Sequence, residues 1–290
     1  MDGQDPSTIE IGRIASVTWK IHREVVLLLG WARAILLQIS HPLVARGVAD
    51  HSTFLVEGRA RWRRLQRTVD AMLTLTFGTA DQAAEVARGI NAIHDRVHGQ
   101  LREPTRAVPD GRVYSAHNPE LLGWVHATLL DSFLLTYELY VGSLTLEEKD
   151  RYCAEASAIE PLLGIPPGRV PASLEGLQHY MAAMLASGEI RVTDTARTLA
   201  REIVSPPLPR AAGPIVWLMQ LPAVGLLPPP IREAYGLAWD SRRQAALRLS
   251  AGVVRRLLPV TPSVLRHWPA ARAAFRRERG SVWIAENGVA

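Results

Sequence analysis

The sequence predicts an all-α fold, organised as a single large helical domain. Three observations predict it. Apolar residues recur at helical spacing almost throughout, and no convincing period-two run interrupts them. There is no glycine-rich phosphate loop, no strand–helix alternation and no internal repeat.

Ile9–Trp19 and Glu24–Ser40 read as the first helices, with Pro42 enforcing a break after His41. Val56–Leu75 is a long arginine-rich helix stopped by Gly78. Thr79 is the N-cap residue of the next helix, Asp81–His98, which ends at Gly99. Glu103–His117 is punctuated by proline and glycine, and is the place for loop or short extended structure. Pro119 opens a helix that runs to Tyr140, proline being suited to a first helical turn. Shorter helices follow at Leu146–Ile159, Ser173–Ala186 and Asp194–Val204. The proline clusters Pro206–Pro209 and Pro228–Pro230 bracket a hydrophobic helix around Trp217, and two surface-packed helices follow Ile231.

The chain has 290 residues, 48% of them hydrophobic, enough to bury a sizeable core. Its formal charge of +5 is carried by arginine, since Lys20 and Lys149 are the only lysines. No dense basic stripe is present, so no nucleic-acid partner is expected. Cys153 is the single cysteine, which excludes an intramolecular disulfide and fits a reducing cytoplasm. The polar, acidic start Met1–Glu10 is unlike a secretory signal. Val25–Val44 is the most apolar stretch, but Arg33, Gln38 and His41 interrupt it, against the roughly 20 apolar residues of a spanning helix. A soluble protein with at most peripheral membrane contact is expected.

Arg64 and Thr68 stand four apart, as do His94 and His98. On helices, positions four apart lie about 40° from one another around the axis, on one face. A cation, a hydroxyl and two imidazoles converging inside an apolar helical protein suggest a bound cofactor, with haem as the best candidate. The histidine pair fits other metal templates poorly: residue 95 is aspartate, so the zinc motif H-E-x-x-H is not formed, and the paired Glu-x-x-His of di-iron bundles is absent. Without C-x-x-C-H, any haem is held non-covalently, by one axial imidazole. The alternative for Arg61–Arg67 is a solvated basic face. Asp50-His51-Ser52 invites a triad reading, but sequence neighbours cannot supply triad geometry, and helix capping is the simpler role. His126 reads as a buried, hydrogen-bonded histidine before it reads as a second ligand.

Together these residues resemble a family first catalogued as a domain of unknown function. It includes the latex-clearing rubber oxygenases and the fungal oxygenase that shortens a prenyl side chain in mycophenolic acid biosynthesis. The resemblance runs from about Arg23 to Arg272. It rests on Leu27–Ala34, His41-Pro42, Gly47–Ser52, Arg64…Thr68 with Phe77-Gly78, His94…His98, and Asn118-Pro119 with Trp124–His126. It implies an all-α protein with a globin-like core binding haem b. By position, His98 matches the proximal iron ligand, Arg64 and Thr68 match polar residues near the haem, and His94 matches an accessory histidine. The rubber oxygenases carry a lysine before the motif threonine that can occupy the distal iron position; here that residue is Arg67, and guanidinium is a poor ligand.

The expected organisation is an N-terminal segment 1–22, a haem-binding domain 23–275 and a tail 276–290. The expected function is a haem b-dependent oxygenase acting with O₂ on a hydrophobic, isoprenoid-like substrate, with Arg64 and Thr68 anchoring haem or polarising bound oxygen. The alternative is a non-catalytic helical haem or lipid carrier. The oligomeric state is not legible.

Overall fold

The computed structural model describes residues 16–51, 59–102, 111–204 and 213–287. Helices dominate, in the order α1 (Val17–His22), α2 (Leu28–Gln38), α3 (Pro42–His51), α4 (Arg59–Phe77) and α5 (Ala80–His94). A two-stranded hairpin, β1 (His98–Gln100) and β2 (Val113–Ser115), then leads into α6 (Pro119–Tyr140). After it come α7 (Leu146–Ala156), α8 (Leu174–Ala186), α9 (Asp194–Val204), α10 (Gly213–Gly225), α11 (Pro229–Ala234), α12 (Ser241–Leu257), α13 (Ser263–Arg266) and α14 (Pro269–Asn287). The all-α class holds.

Helix α6 is the axis of the fold. It is apolar nearly all round, and fourteen of its residues are buried, which marks a helix enclosed on every side. Helix α2 packs along it, and a Cβ at Gly30 would collide with Thr136, so glycine sets the closest approach of the two backbones. Arg33, which interrupts the apolar run in sequence, is buried in this contact. Its guanidinium donates to the Leu226 carbonyl at 2.7 Å and the Ser132 hydroxyl at 2.7 Å, and pairs with Asp131 at 2.7 Å. Every strong donor is answered, the condition for holding a cation inside. The buried Glu24 is gripped the same way by the two arms of Arg266, each at 2.8 Å, which ties α13 back to the start of the chain.

Two expected helices end differently. Glu24–Ser40 divides into a 3₁₀ turn, Val25–Leu27, and α2. Asp81–His98 stops at His94: the Val97 amide bonds back to the His94 carbonyl, and His98 then pairs with Ser115 in the β hairpin. The cause is tertiary. Gly99 passes under Tyr114, whose hydroxyl would lie 2.6 Å from a Cβ there. The chain therefore needs glycine for close packing against a strand, where the sequence suggested a helix stop. Of the expected Ile9–Trp19 helix, only the part from Val17 lies within the described residues, with Ser16 as its cap. The Gly78 stop, the Thr79 capping box, the Pro119 start and the span Asp194–Val204 stand as the sequence predicts. Pro206–Pro209 lie outside the described residues.

No helix among the described residues is long and apolar enough to cross a membrane. The apolar pair Val25–Gln38 and Pro42–His51 is bent by 108° at its break.

Candidate active site

Helices α4 and α5 form an antiparallel hairpin closed by Gly78-Thr79. Arg64 stands about as far before that corner as His94 stands after it, so the topology brings the two to the same level at the hairpin's open end. His94 occupies the last position of α5 and is half-buried. Its Nδ1 is buried and has no hydrogen-bond partner among the described residues. Burial, reinforced by the nearby His117, lowers its pKa and keeps the ring neutral. The His117 ring meets it edge-on with centroids 5.9 Å apart. The last turns of α5 are anchored by Asn91, whose amide donates to the Leu162 carbonyl at 3.0 Å.

The structure separates the four sequence-singled residues at this end. His98 is exposed and sits on β1, so it does not share a helix face with His94. Its carbonyl accepts from His51 Nε2 at 3.0 Å. Thr68 is exposed, whereas the buried face of α4 carries Val69, Leu73 and Thr76. The expectation that the Thr68 face turns inward is therefore replaced by an inward face one residue around the helix. Arg64 is placed on α4 by its backbone; its side chain lies outside the described residues. Asp50 and His51 join a network that no capping rule foresees. Tyr114, buried between Gly47 and Gly99, donates to Asp50 at 2.7 Å; Asp50 also pairs with Arg46, and His51 Nε2 lies 3.1 Å from the Tyr114 hydroxyl. This network pins the C-terminal end of α3 to the β hairpin.

A second group of polar residues lies in the interior. A cavity of about 230 Å³ is walled by apolar residues including Trp19, Leu75 and Leu130, and by His22, Thr76, Tyr152 and His126. The Thr76 hydroxyl donates to the Met72 carbonyl at 2.9 Å, so it accepts from His22 Nδ1–H at 3.2 Å. His22 Nε2 must then accept from the Tyr152 hydroxyl, at 2.8 Å. His22 is saturated, and burial pushes its pKa down to about 4. His126, on α6, is also buried and lowered to about 4 by desolvation, with the Ala156 backbone opposing the shift. Its Nε2 has no hydrogen-bond partner among the described residues, and Glu160 Oε1 stands 3.9 Å away. Burial alone raises Glu160 to about 7. Sequence reasoning singled out His126 but missed His22, Tyr152 and Glu160. Only the apolar flanks of Glu160, Ala158-Ile159 and Pro161-Leu162, hinted that it is buried.

Among the described residues no three His, Cys, Asp or Glu side chains are grouped to hold a metal ion. An axial haem contact needs only one neutral imidazole, and His94 and His126 both qualify by chemistry. The cavity beside His126, at about 230 Å³, lies below the roughly 300–1,000 Å³ typical of small-molecule pockets.

Comparison with curated proteins and with solved structures finds no match. Comparison with protein families does: residues 19–256 match the family described as "ER-bound oxygenase mpaB/B'/Rubber oxygenase, catalytic domain". The matched span includes the α4–α5 hairpin, the β hairpin and the buried axis α6. The chain belongs to this oxygenase family.

Proposed function

We propose that this protein is a haem b-dependent oxygenase acting with O₂ on a hydrophobic, isoprenoid-like substrate, its haem held at the open end of the α4–α5 hairpin. One observation carries the assignment: a half-buried, neutral His94 with an unpartnered ring nitrogen, at the level of Arg64. Haem supplies the O₂ chemistry that amino-acid side chains lack. The residues supply the rest.

His94 would hold the haem iron in this reading, in preference to His98, which is exposed on a strand. Desolvation keeps the His94 lone pair available at neutral pH, since the charged form is penalised. Arg64 would be the counter-charge for a carboxylate of the cofactor, a cation–carboxylate pairing that guanidinium suits. Thr68, one turn further along α4, contributes a hydroxyl at the rim. Arg67 would not ligate iron as a lysine can, because guanidinium stays protonated. The Tyr114–Asp50–Arg46 network holds the strand that follows His94 and so fixes where α5 ends. A globin-like arrangement around the cofactor, with iron as its metal, belongs to the same proposal.

The experiment is an electronic absorption spectrum of the purified protein before and after dithionite, followed by O₂ uptake with an isoprenoid alkene. A Soret band that shifts on reduction, with alkene-dependent O₂ consumption, is expected. A Soret band without alkene-dependent uptake would leave a haem carrier in place of an enzyme.

A further inference from the structure

Thirteen large apolar side chains are exposed among the described residues, and nine of them lie between Trp217 and Leu265. On α12, Leu249, Val253 and Leu257 follow one another at four-residue spacing, so they form one stripe along the helix. Val260, Val264 and Leu265 follow in the next turn and in α13, with Val260 77% and Leu265 70% exposed. Helix α10, which packs on α12, also exposes Trp217, Leu218 and Met219. Exposed large apolar side chains this concentrated in one part of the chain mark an interaction site.

The charge around it is one-sided. From Ser241 to Arg277 the chain has nine arginines and no aspartate or glutamate. Arg248, Arg255 and Arg256 are exposed on α12 itself, beside the stripe. We propose that the α10–α12–α13 face is a peripheral membrane-docking surface for anionic lipid, with α12 lying in the plane of the interface. Both halves of the surface are then used: apolar side chains enter the acyl boundary while arginines meet lipid phosphates. Arg266 is answered by Glu24 and Arg243 by Asp240, but the charge still argues against a second copy of the chain, since a two-fold contact would set the exposed Arg248, Arg255 and Arg256 against one another. Nucleic acid would leave the apolar stripe uncovered. Such a surface brings an apolar substrate within reach of the fold, but the inference stands on the surface alone, whatever the cofactor.

The test is co-sedimentation of the full chain with phosphatidylcholine vesicles, with and without phosphatidylglycerol. Anionic vesicles are expected to bind at least about tenfold more tightly, since each arginine near an anionic surface contributes on the order of 1 kcal/mol. Added salt should weaken the binding. The exposed positions allow two independent variants that keep the fold, checked by circular dichroism. Leu249→Ser with Val253→Ser and Leu257→Ser should lose binding to both vesicle types. Arg248→Gln with Arg255→Gln and Arg256→Gln should lose only the anionic preference. Equal or absent binding of the wild-type chain to the two vesicles would overturn the proposal. So would a wild-type dimer in solution that the serine variant converts to monomer.

Discussion

The two histidine groups of this protein live in different solvents. His22 and His126 sit in the core around a small cavity, where desolvation drives both to a pKa of about 4. His94 and His98 sit at the open end of a helical hairpin, one half-buried on a helix and the other exposed on a strand. In the core His22 has its protons fixed, since the hydroxyls of Thr76 and Tyr152 specify its tautomer completely, while His126 Nε2 has no hydrogen-bond partner among the described residues. At the rim, a buried ring nitrogen of His94 lacks a hydrogen-bond partner among the described residues. Saturated polar groups in a core set packing and stability. An unsatisfied one at an open edge is available to a ligand.

The largest stability effect that separates the groups comes from the core. His126→Ala removes a fully enclosed ring, leaves a void and strips Glu160 of its neighbour, at a cost of about 2–4 kcal/mol. Denaturant unfolding measures it. Haem retained per folded molecule should not change. Loss of haem from a folded His126 variant would move the cofactor into the core and break the comparison.

Next in size is Gly99→Ala, which sets a methyl against the Tyr114 hydroxyl and disturbs the strand after His94. A loss of about 1–3 kcal/mol is expected from overpacking. Tyr114→Phe, which keeps the ring and removes the bond to Asp50, should cost less, about 0.5–1.5 kcal/mol. If Gly99→Ala were neutral, the hairpin would not be positioned by that contact.

Acidity gives a third contrast. His22, His41 and His126 are each lowered from 6.5 to about 4, so between those values the unfolded chain binds protons that the native core refuses. Stability therefore falls as pH drops from 6.5 toward 4. Glu160, raised from 4.5 to about 7, acts in the opposite sense: its penalty is complete above about 7 and eases as pH falls toward 4.5. Three histidines outweigh one glutamate, and the melting temperature should decrease on acidification. His126→Phe should flatten that dependence by one proton.

The smallest effect lies on α4. Arg63, about 100° around the helix from Arg64, is exposed. Arg63→Ala should change neither haem content nor turnover, while Arg64→Ala should lower haem occupancy severalfold. Thr68 is exposed, so Thr68→Ala is expected to fall between the two. Equal tolerance of all three would favour a solvated basic face.

Much of the fold is legible in the sequence because local signals and tertiary demands agree there. Gly78-Thr79, Pro119 and Asp194 each terminate or start a helix by rules that need no partner. Legibility fails where a distant residue decides. Helix period carries the eye from Asp81 to His98, yet the chain leaves the helix at His94 because Tyr114, fifteen residues beyond Gly99, packs on that glycine. This one misreading changes the site, since it separates two histidines that spacing alone places on one face. The His22–Thr76–Tyr152 triangle joins three helices and leaves no sequence trace. Arg33 shows the reverse: it interrupts an apolar run, but is buried because Ser132, Asp131 and Leu226 wait for it.

The central claim is that the open end of the α4–α5 hairpin binds haem through His94. The most direct measurement is the Soret absorbance per folded protein of His94→Ala and His98→Ala, purified alongside the wild type. The account predicts that the wild type carries haem, that His94→Ala loses at least about tenfold of it as the loss of an axial donor requires, and that His98→Ala stays near the wild-type value. A haem-free wild type, or haem lost from the His98 variant and retained by the His94 variant, would contradict it.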